Sequence, residues 1–334
     1  MAWVQEWRFP FEGEGFLLEL FCSSDWQLGS SSCSVRKIDH YIERTLGHAA
    51  FLKAHMPIAK TAMILAGDLE DEDRPSTREM RASMAASRPE VAERDAIKHV
   101  HFLEGEILPR LRKLHEGLDY GVLGGVAGHH WTFLQGGVEV AGKTIYSSVE
   151  YVFARLEEMT GKPCVYLGPM VSFLDFKFAQ KRENGEQSVR QVGLLQHGEG
   201  GGQTKGATIN RLDRTAQGFD ADFYIRGHDC QLVATKADVL YAKNRRTPPK
   251  PTQTNYRKPD PEAPNPICSR TRTMLNLGSY TMGYEFSRGR SSYVEQGMLR
   301  PATMGSGILT FEIRKAWSYE DKNQGLMCET FARI

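Results

Sequence analysis

The sequence predicts an α/β fold, on three observations. Apolar, strand-like runs alternate with amphipathic helical stretches through the first half of the chain. The second half is dense in Val, Tyr, Phe and Leu with short turns between the runs, which reads as further strands with fewer helices. The composition, 40% hydrophobic and 25% charged over 334 residues, is ordinary for a globular protein and leaves ample length for a sizeable core.

The elements follow in order. Residues 16–22, "FLLELFC", form an apolar run that predicts a buried strand. A Ser/Gly loop follows. Over 35–56, Ile38, Ile42, Leu46 and Ala49 recur on one face at helical spacing. The run 61–66, "TAMILA", predicts the second strand. The charged stretch 76–116 reads as helix, broken near Pro89. Residues 120–127, "YGVLGGVA", predict a glycine-rich third strand, and 145–159, "IYSSVEYVFARLEEM", an amphipathic helix. Beyond it, 164–179, 188–197, 221–228, 230–244 and 305–317 are strand candidates. Residues 244–266 are proline-rich and basic over most of their length, which excludes regular helix or sheet and predicts a long surface loop. Strand-like sequence resumes after it, so the chain reads as a single domain over 1–334.

Lys plus Arg is 42 and Asp plus Glu is 41, a net charge of +1, so global charge does not announce a nucleic-acid partner. The six cysteines, Cys22, Cys33, Cys164, Cys230, Cys268 and Cys328, have no paired short spacing and read as reduced thiols. No apolar run approaches the roughly 18–20 residues that span a bilayer, and "MAWVQEWRFPFEGEG" lacks the basic start and apolar stretch of a secretion signal. The expectation is a cytoplasmic protein with no membrane partner. Oligomeric state is not readable.

Five short polar clusters carry the chemistry. They are "CSSDWQLG" around Asp25, "ILAGDLED" around Asp68, "GGVAGHHW" around His129 and His130, "LLQHGEGG" around His197, and "IRGHDCQ" around His228. At least four directly follow a strand-like run. Asp and His presented at the ends of several strands suit a metal site that activates water, because carboxylates are hard oxygen ligands and imidazoles suit transition metals.

The order and local sequence resemble the calcineurin-like metallophosphoesterases, and within them the phage and bacterial type. That family shows Asp-x-His, Gly-Asp-x-x-Asp, Gly-Asn-His-Asp/Glu, a lone His and Gly-His-x-His. Here the first motif is degenerate, Asp25-Trp26-Gln27, with Gln27 replacing histidine. The second, Gly67-Asp68-Leu69-Glu70-Asp71, is intact. In the third, His129 stands at the asparagine position, His130 at the family histidine and Trp131 at the acid. His197 is the fourth. The fifth is degenerate, with Cys230 in place of the last histidine.

The resemblance implies a four-layered αββα sandwich of two mixed sheets. It implies metal-dependent hydrolysis of a phosphodiester or phosphomonoester through a metal-activated hydroxide, with one or two divalent ions (Mn, Fe, Zn or Ni). One ion would take Asp68, His129, His197 and His228. The other would take Asp25, Gln27, Asp68 and Cys230. With two of those four ligands changed, the second position is expected to be weak, to prefer a different metal, or to be empty. His130 would stabilise or protonate the leaving oxygen, and Asp71 would support the site from behind.

Other features are weighed beside these. Lys205, after the glycines of "HGEGGG", and Arg300, with Arg288 and Arg290, are candidate phosphate contacts. Arg245, Arg246, Lys250, Arg257 and Lys258 around Tyr256 fit either nucleic acid or a solvated loop. His40, His48, His55, His99, His101 and His115 read as surface or packing residues. Two other readings stand beside the hydrolase: a phosphoesterase-like scaffold that has lost turnover, motivated by Gln27 and Cys230, and a nuclease acting on DNA or RNA.

Overall fold

In the computed structural model, residues 3–30, 32–71, 89–183, 185–199, 204–242, 267–281, 304–318 and 323–334 are described. The expected apolar run becomes β2 (Gly15–Ser23), after a first strand β1 (Trp3–Phe11) that pattern alone does not predict. The helix α1 (Val35–His55) buries Ile38, Ile42, Ala49 and Leu52, with Leu46 partly covered, so the predicted face is the packed one. Strand β3 (Ala59–Leu65) follows.

Of the long charged stretch, the described part is helical from Pro89. Helix α2 (Pro89–Phe102) passes through a π-turn (Leu103–Ile107) into α3 (Leu108–Gly117). The π-turn adds a residue to the ladder and lets both Leu103 and Ile107 reach the core. Strand β4 (Val122–Gly125) is shorter than expected. A hairpin, β5 (Phe133–Val140) and β6 (Lys143–Ser147), takes the first residues of the predicted helix, which begins only at Ser148 as α4 (Ser148–Thr160).

The second half supplies β7 (Val165–Tyr166), β8 (Val171–Arg182), β9 (Gly185–Gln196), α5 (Lys205–Gly218), β10 (Phe223–Arg226), β11 (Val233–Ala242), β12 (Ile267–Asn276), β13 (Gly307–Ser318) and β14 (Asn323–Arg333). The basic proline-rich segment and Arg288, Arg290 and Arg300 lie outside the described residues. Among the described residues no helix is long and apolar enough to cross a membrane.

Two mixed sheets of six strands result. The first runs β1-β8-β9-β10-β12-β11 and the second β14-β13-β2-β3-β4-β7. In the second, β2, β3, β4 and β7 are parallel, β13 is antiparallel to β2, and β14 is antiparallel to β13. In the first, β9, β10 and β12 are parallel. Apolar side chains from both sheets meet in one core, which holds Leu18 and Leu20 of β2, Phe176 and Phe178 of β8 and Phe311 of β13. The outer face of the second sheet packs Phe21, Met63 and Leu65 under α1, α3 and α4. The outer face of the first packs Leu194, Tyr224 and Met274 under Leu212 and Ala216 of α5. The layers are therefore α/β/β/α, which is why β2 and β3 read as nearly unbroken apolar runs rather than alternating ones.

Phe311 is the keystone of the inter-sheet core. Its ring lies 5.0 Å from Phe223, 5.6 Å from Phe176 and 5.7 Å from Phe178, bridging the two sheets. Phe311→Ala should cost about 3–5 kcal/mol, the range for emptying a buried aromatic site. Urea unfolding checks this; a loss under about 1 kcal/mol would contradict it.

Candidate metal centre

The parallel strands bring their carboxyl ends to one edge of the sandwich, the place where open α/β sheets bind ligands. Asp25 follows β2 by two residues, Asp68 follows β3 by three, His197 directly follows β9, and His228 follows β10 by two. His129 lies four residues beyond β4. Backbone bonds stitch these loops together. Asp25 N donates to Gly67 O at 3.0 Å, Asp68 N to Ala127 O at 2.9 Å, and Gly227 N to Gln196 O at 3.0 Å. The loops of the two sheets are tied across the edge by His197 Nδ1, which lies 2.7 Å from Ala66 O.

Backbone conformation singles out the same residues. Among the described residues, six non-glycine positions have positive φ, and five of them are Asp25, Gln27, Asp68, His228 and Cys230. The sixth, Ala141, turns the hairpin between β5 and β6. A left-handed non-glycine residue costs about 1–2 kcal/mol, and such strain clusters at functional sites. Gly67 and Gly128 complete the cradle at φ +94° and +87°. A Cβ on Gly67 would come within 2.7 Å of His197 Nδ1. One on Gly128 would overlap Asp68 Oδ1 and come within 2.6 Å of Asp68 N.

Four side chains converge. One donor atom each from Asp68, His129, His197 and His228 lies within 4.8 Å of all the others. The three imidazole centroids are 4.7–5.2 Å apart. Asp68 is fully buried and His197 nearly so. Asp68 Oδ1 accepts from the backbone N–H groups of His129 (2.6 Å) and His130 (2.9 Å). Its Oδ2 and His197 Nε2, both buried, pair at 3.0 Å. Since a carbonyl only accepts, His197 Nδ1 carries a proton toward Ala66 O, and in the neutral ring Nε2 is the lone-pair nitrogen facing the cluster. A buried carboxylate beside three imidazoles is a donor set that suits a divalent transition metal.

The electrostatics fit the same reading. Burial would lower the pKa of His197, but the Asp68 carboxylate outweighs it and raises it to about 9. Asp68 is desolvated too, yet His197 holds its carboxyl below the ordinary range. Burial, reinforced by the like-charged neighbours, pushes His228 down to about 4 and also lowers His129. A proton shared near His197 Nε2 thus sits where a cation is favoured.

The other predicted residues are placed differently. Asp25 is buried beside this cluster but outside it. Its Oδ2 accepts from Ser24 Oγ and from His228 N at 2.9 Å, while Oδ1 has no hydrogen-bond partner. Burial raises its pKa to about 6. Gln27 Oε1 accepts from Thr281 Oγ1 at 2.7 Å, and Cys230 Sγ donates to His228 O at 3.3 Å. Burial and the Asp25 charge push the Cys230 thiol well above its usual range. His130 Nδ1 is 2.5 Å from Asp71 Oδ1, so Asp71 holds the imidazole from behind. Lys205 is the first residue of α5 and is exposed.

Two supporting groups were not foreseen. Of the two readings for His99, surface or packing, the structure shows packing. It is buried with Nε2 2.6 Å from the buried Glu70 Oε2, and Glu70 also accepts from Ser148 Oγ. Arg226 and Asp229 flank His228 in a buried ion pair at 3.3 Å, joined by Arg211 at 2.5 Å. Arg226 and Asp229 lie inside the "IRGHDCQ" cluster, which was a usable signal. Nothing local pairs His99 with Glu70.

No family model matches the sequence, and no curated protein matches it. Among solved structures, similar chains include Vps29 complexed with Zn²⁺ from Entamoeba histolytica, at 12% identity and TM-score 0.30, covering 94% of this chain and 98% of that one. A predicted phosphoesterase from Streptococcus pneumoniae TIGR4 is 11% identical with TM-score 0.28, covering 95% and 98%.

Proposed function

We propose that the chain is a calcineurin-like metallophosphoesterase that hydrolyses a phosphoester, a diester in preference to a protein phosphate. The single observation that carries this is the convergence of Asp68, His129, His197 and His228, with donor atoms within 4.8 Å of one another, in the motif order of that family. A divalent ion held there supplies Lewis-acid charge for the phosphoryl oxygens and lowers the pKa of water.

The chain's own residues do the rest. The backbone N–H groups of His129 and His130 fix Asp68 so that one oxygen faces the cluster. Asp71 Oδ1 pairs with His130 Nδ1 at 2.5 Å, and on this reading the other ring nitrogen, Nε2, exchanges a proton with the leaving oxygen. The burial of Asp68 and His197 keeps bulk water from screening these charges.

The test is hydrolysis of bis-p-nitrophenyl phosphate with and without Mn²⁺. Turnover should require the metal and fall to background in Asp68→Ala. His130→Gln should lose about 10²–10⁴-fold on a diester with a poor leaving group and less on the nitrophenyl ester, whose leaving oxygen needs no proton. Equal rates in wild type and Asp68→Ala, with no bound metal, would instead support the scaffold reading, which the engaged side chains of Gln27 and Cys230 favour. Salt-dependent binding of nucleic acid, lost on deleting 245–258, would mark a nuclease.

A further inference from the structure

We infer that the chain holds a single divalent ion, and that the adjacent position expected for a second is closed by the protein's own hydrogen bonds. This rests on the metal reading above and concerns how many ions that edge accepts.

The donors of the adjacent position would be Asp25, Gln27, the shared Asp68 and Cys230. Gln27 offers one ligand atom, its carbonyl oxygen, and that oxygen receives the Thr281 hydroxyl at 2.7 Å. Thr281 is itself fixed. Its backbone N–H donates to Ser279 Oγ at 3.0 Å, and its chain pairs with Cys33 in an antiparallel bridge. The neighbouring Tyr280 N donates to Asp25 O at 3.0 Å, so the 279–281 segment is laced to the Asp25 loop itself. Drawing Gln27 toward an ion would leave the Thr281 hydroxyl to find another acceptor. Cys230 Sγ is turned back onto the carbonyl of His228 at 3.3 Å, so it is engaged within its own loop.

Asp25 is half committed as well. One oxygen takes Ser24 Oγ and His228 N, which helps to hold His228 in its left-handed backbone conformation. The position is left with one oxygen of Asp25 and whatever Asp68 shares. Transition-metal sites with protein ligands ordinarily take three or four. The contrast with the first position is chemical. There, each of the four residues presents a donor to one common volume. Here, two of the four present groups already satisfied within the protein. The consequence for the reaction is that charge supplied elsewhere by a second ion has to come from His130, held by Asp71, and from backbone N–H groups.

Equilibrium dialysis against Mn²⁺, followed by metal analysis and EPR, decides it. The expected result is one ion per chain, with the spectrum of isolated Mn²⁺ and no exchange coupling. Asp68→Ala should bind none. Gln27→His/Cys230→His should gain a second ion and an exchange-coupled spectrum. Two ions in the wild-type chain overturn the inference and leave the hydrolase reading intact. No ion in the wild-type chain overturns both. A folded double variant that still binds one ion overturns the assignment of closure to these two side chains. Should the double variant fail to fold, the wild-type count decides alone.

Discussion

Gly128→Ala is expected to lose most of its metal affinity while remaining folded. The added Cβ would overlap Asp68 Oδ1 and approach Asp68 N to 2.6 Å, in a residue whose φ is +87°. The backbone strain alone is modest. A left-handed alanine costs about 1–2 kcal/mol, which an inter-sheet core of this kind tolerates. The geometric effect is larger. Gly128 leads directly into His129 and His130, whose backbone N–H groups clamp Asp68 Oδ1 at 2.6 and 2.9 Å. Displacing that turn moves the carboxylate and one imidazole at once. Loss of groups that orient metal ligands typically costs about 10–100-fold in affinity, and here two ligands are affected, so a fall at or beyond the upper end is predicted. Calorimetric titration with Mn²⁺ measures it, with circular dichroism to confirm the fold. Wild-type affinity would mean that the turn yields without disturbing Asp68.

The second large effect is pH dependence of metal binding. Without metal, His197 carries a raised pKa of about 9, set against burial by the neighbouring Asp68. At neutral pH its Nε2 therefore holds a proton that an ion must displace. His228 and His129 have lowered pKa values and are already neutral there, so they release none. Apparent affinity should rise about tenfold per pH unit between pH 6.5 and 9 and then level off. Titrations in buffers of different ionisation enthalpy should show one proton released per ion near pH 7. The sign for stability is the opposite. A pKa raised in the folded state contributes stability that is complete below about pH 6.5, the unfolded value. It is lost as pH rises through about 9. The metal-free protein should therefore melt lower at pH 9 than at pH 6.5. A flat affinity profile would mean that His197 is not displacing a proton to bind.

How far the sequence reveals this depends on where each interaction lies. Strands β2 and β3 are legible because burial on both faces leaves continuous apolar runs ending just before Asp25 and Asp68. The face of α1 is legible from its periodicity. Strand β1 is not. It mixes Gln5, Glu6 and Arg8 with aromatics and contains Pro10, which an edge strand tolerates, and it owes its conformation to parallel pairing with β8 across the chain. The β5–β6 hairpin hid behind a helical pattern that begins two residues into β6, and only the turn at Ala141-Gly142 signalled it. At the site, the residue types and their order were readable because the chemistry demands them. The groups that satisfy Gln27 were not, since Thr281 lies 254 positions away. Nor was the left-handed backbone at Asp25, Asp68 and His228, which the loop-to-loop hydrogen bonds impose.

The most direct test of the central claim is anomalous diffraction from crystals soaked in Mn²⁺, collected at wavelengths either side of the manganese edge. A strong peak is expected among Asp68 Oδ2, His197 Nε2 and the imidazoles of His129 and His228, displaced at low pH. Manganese bound elsewhere, with those four side chains still holding one another and no peak between them, would contradict the account.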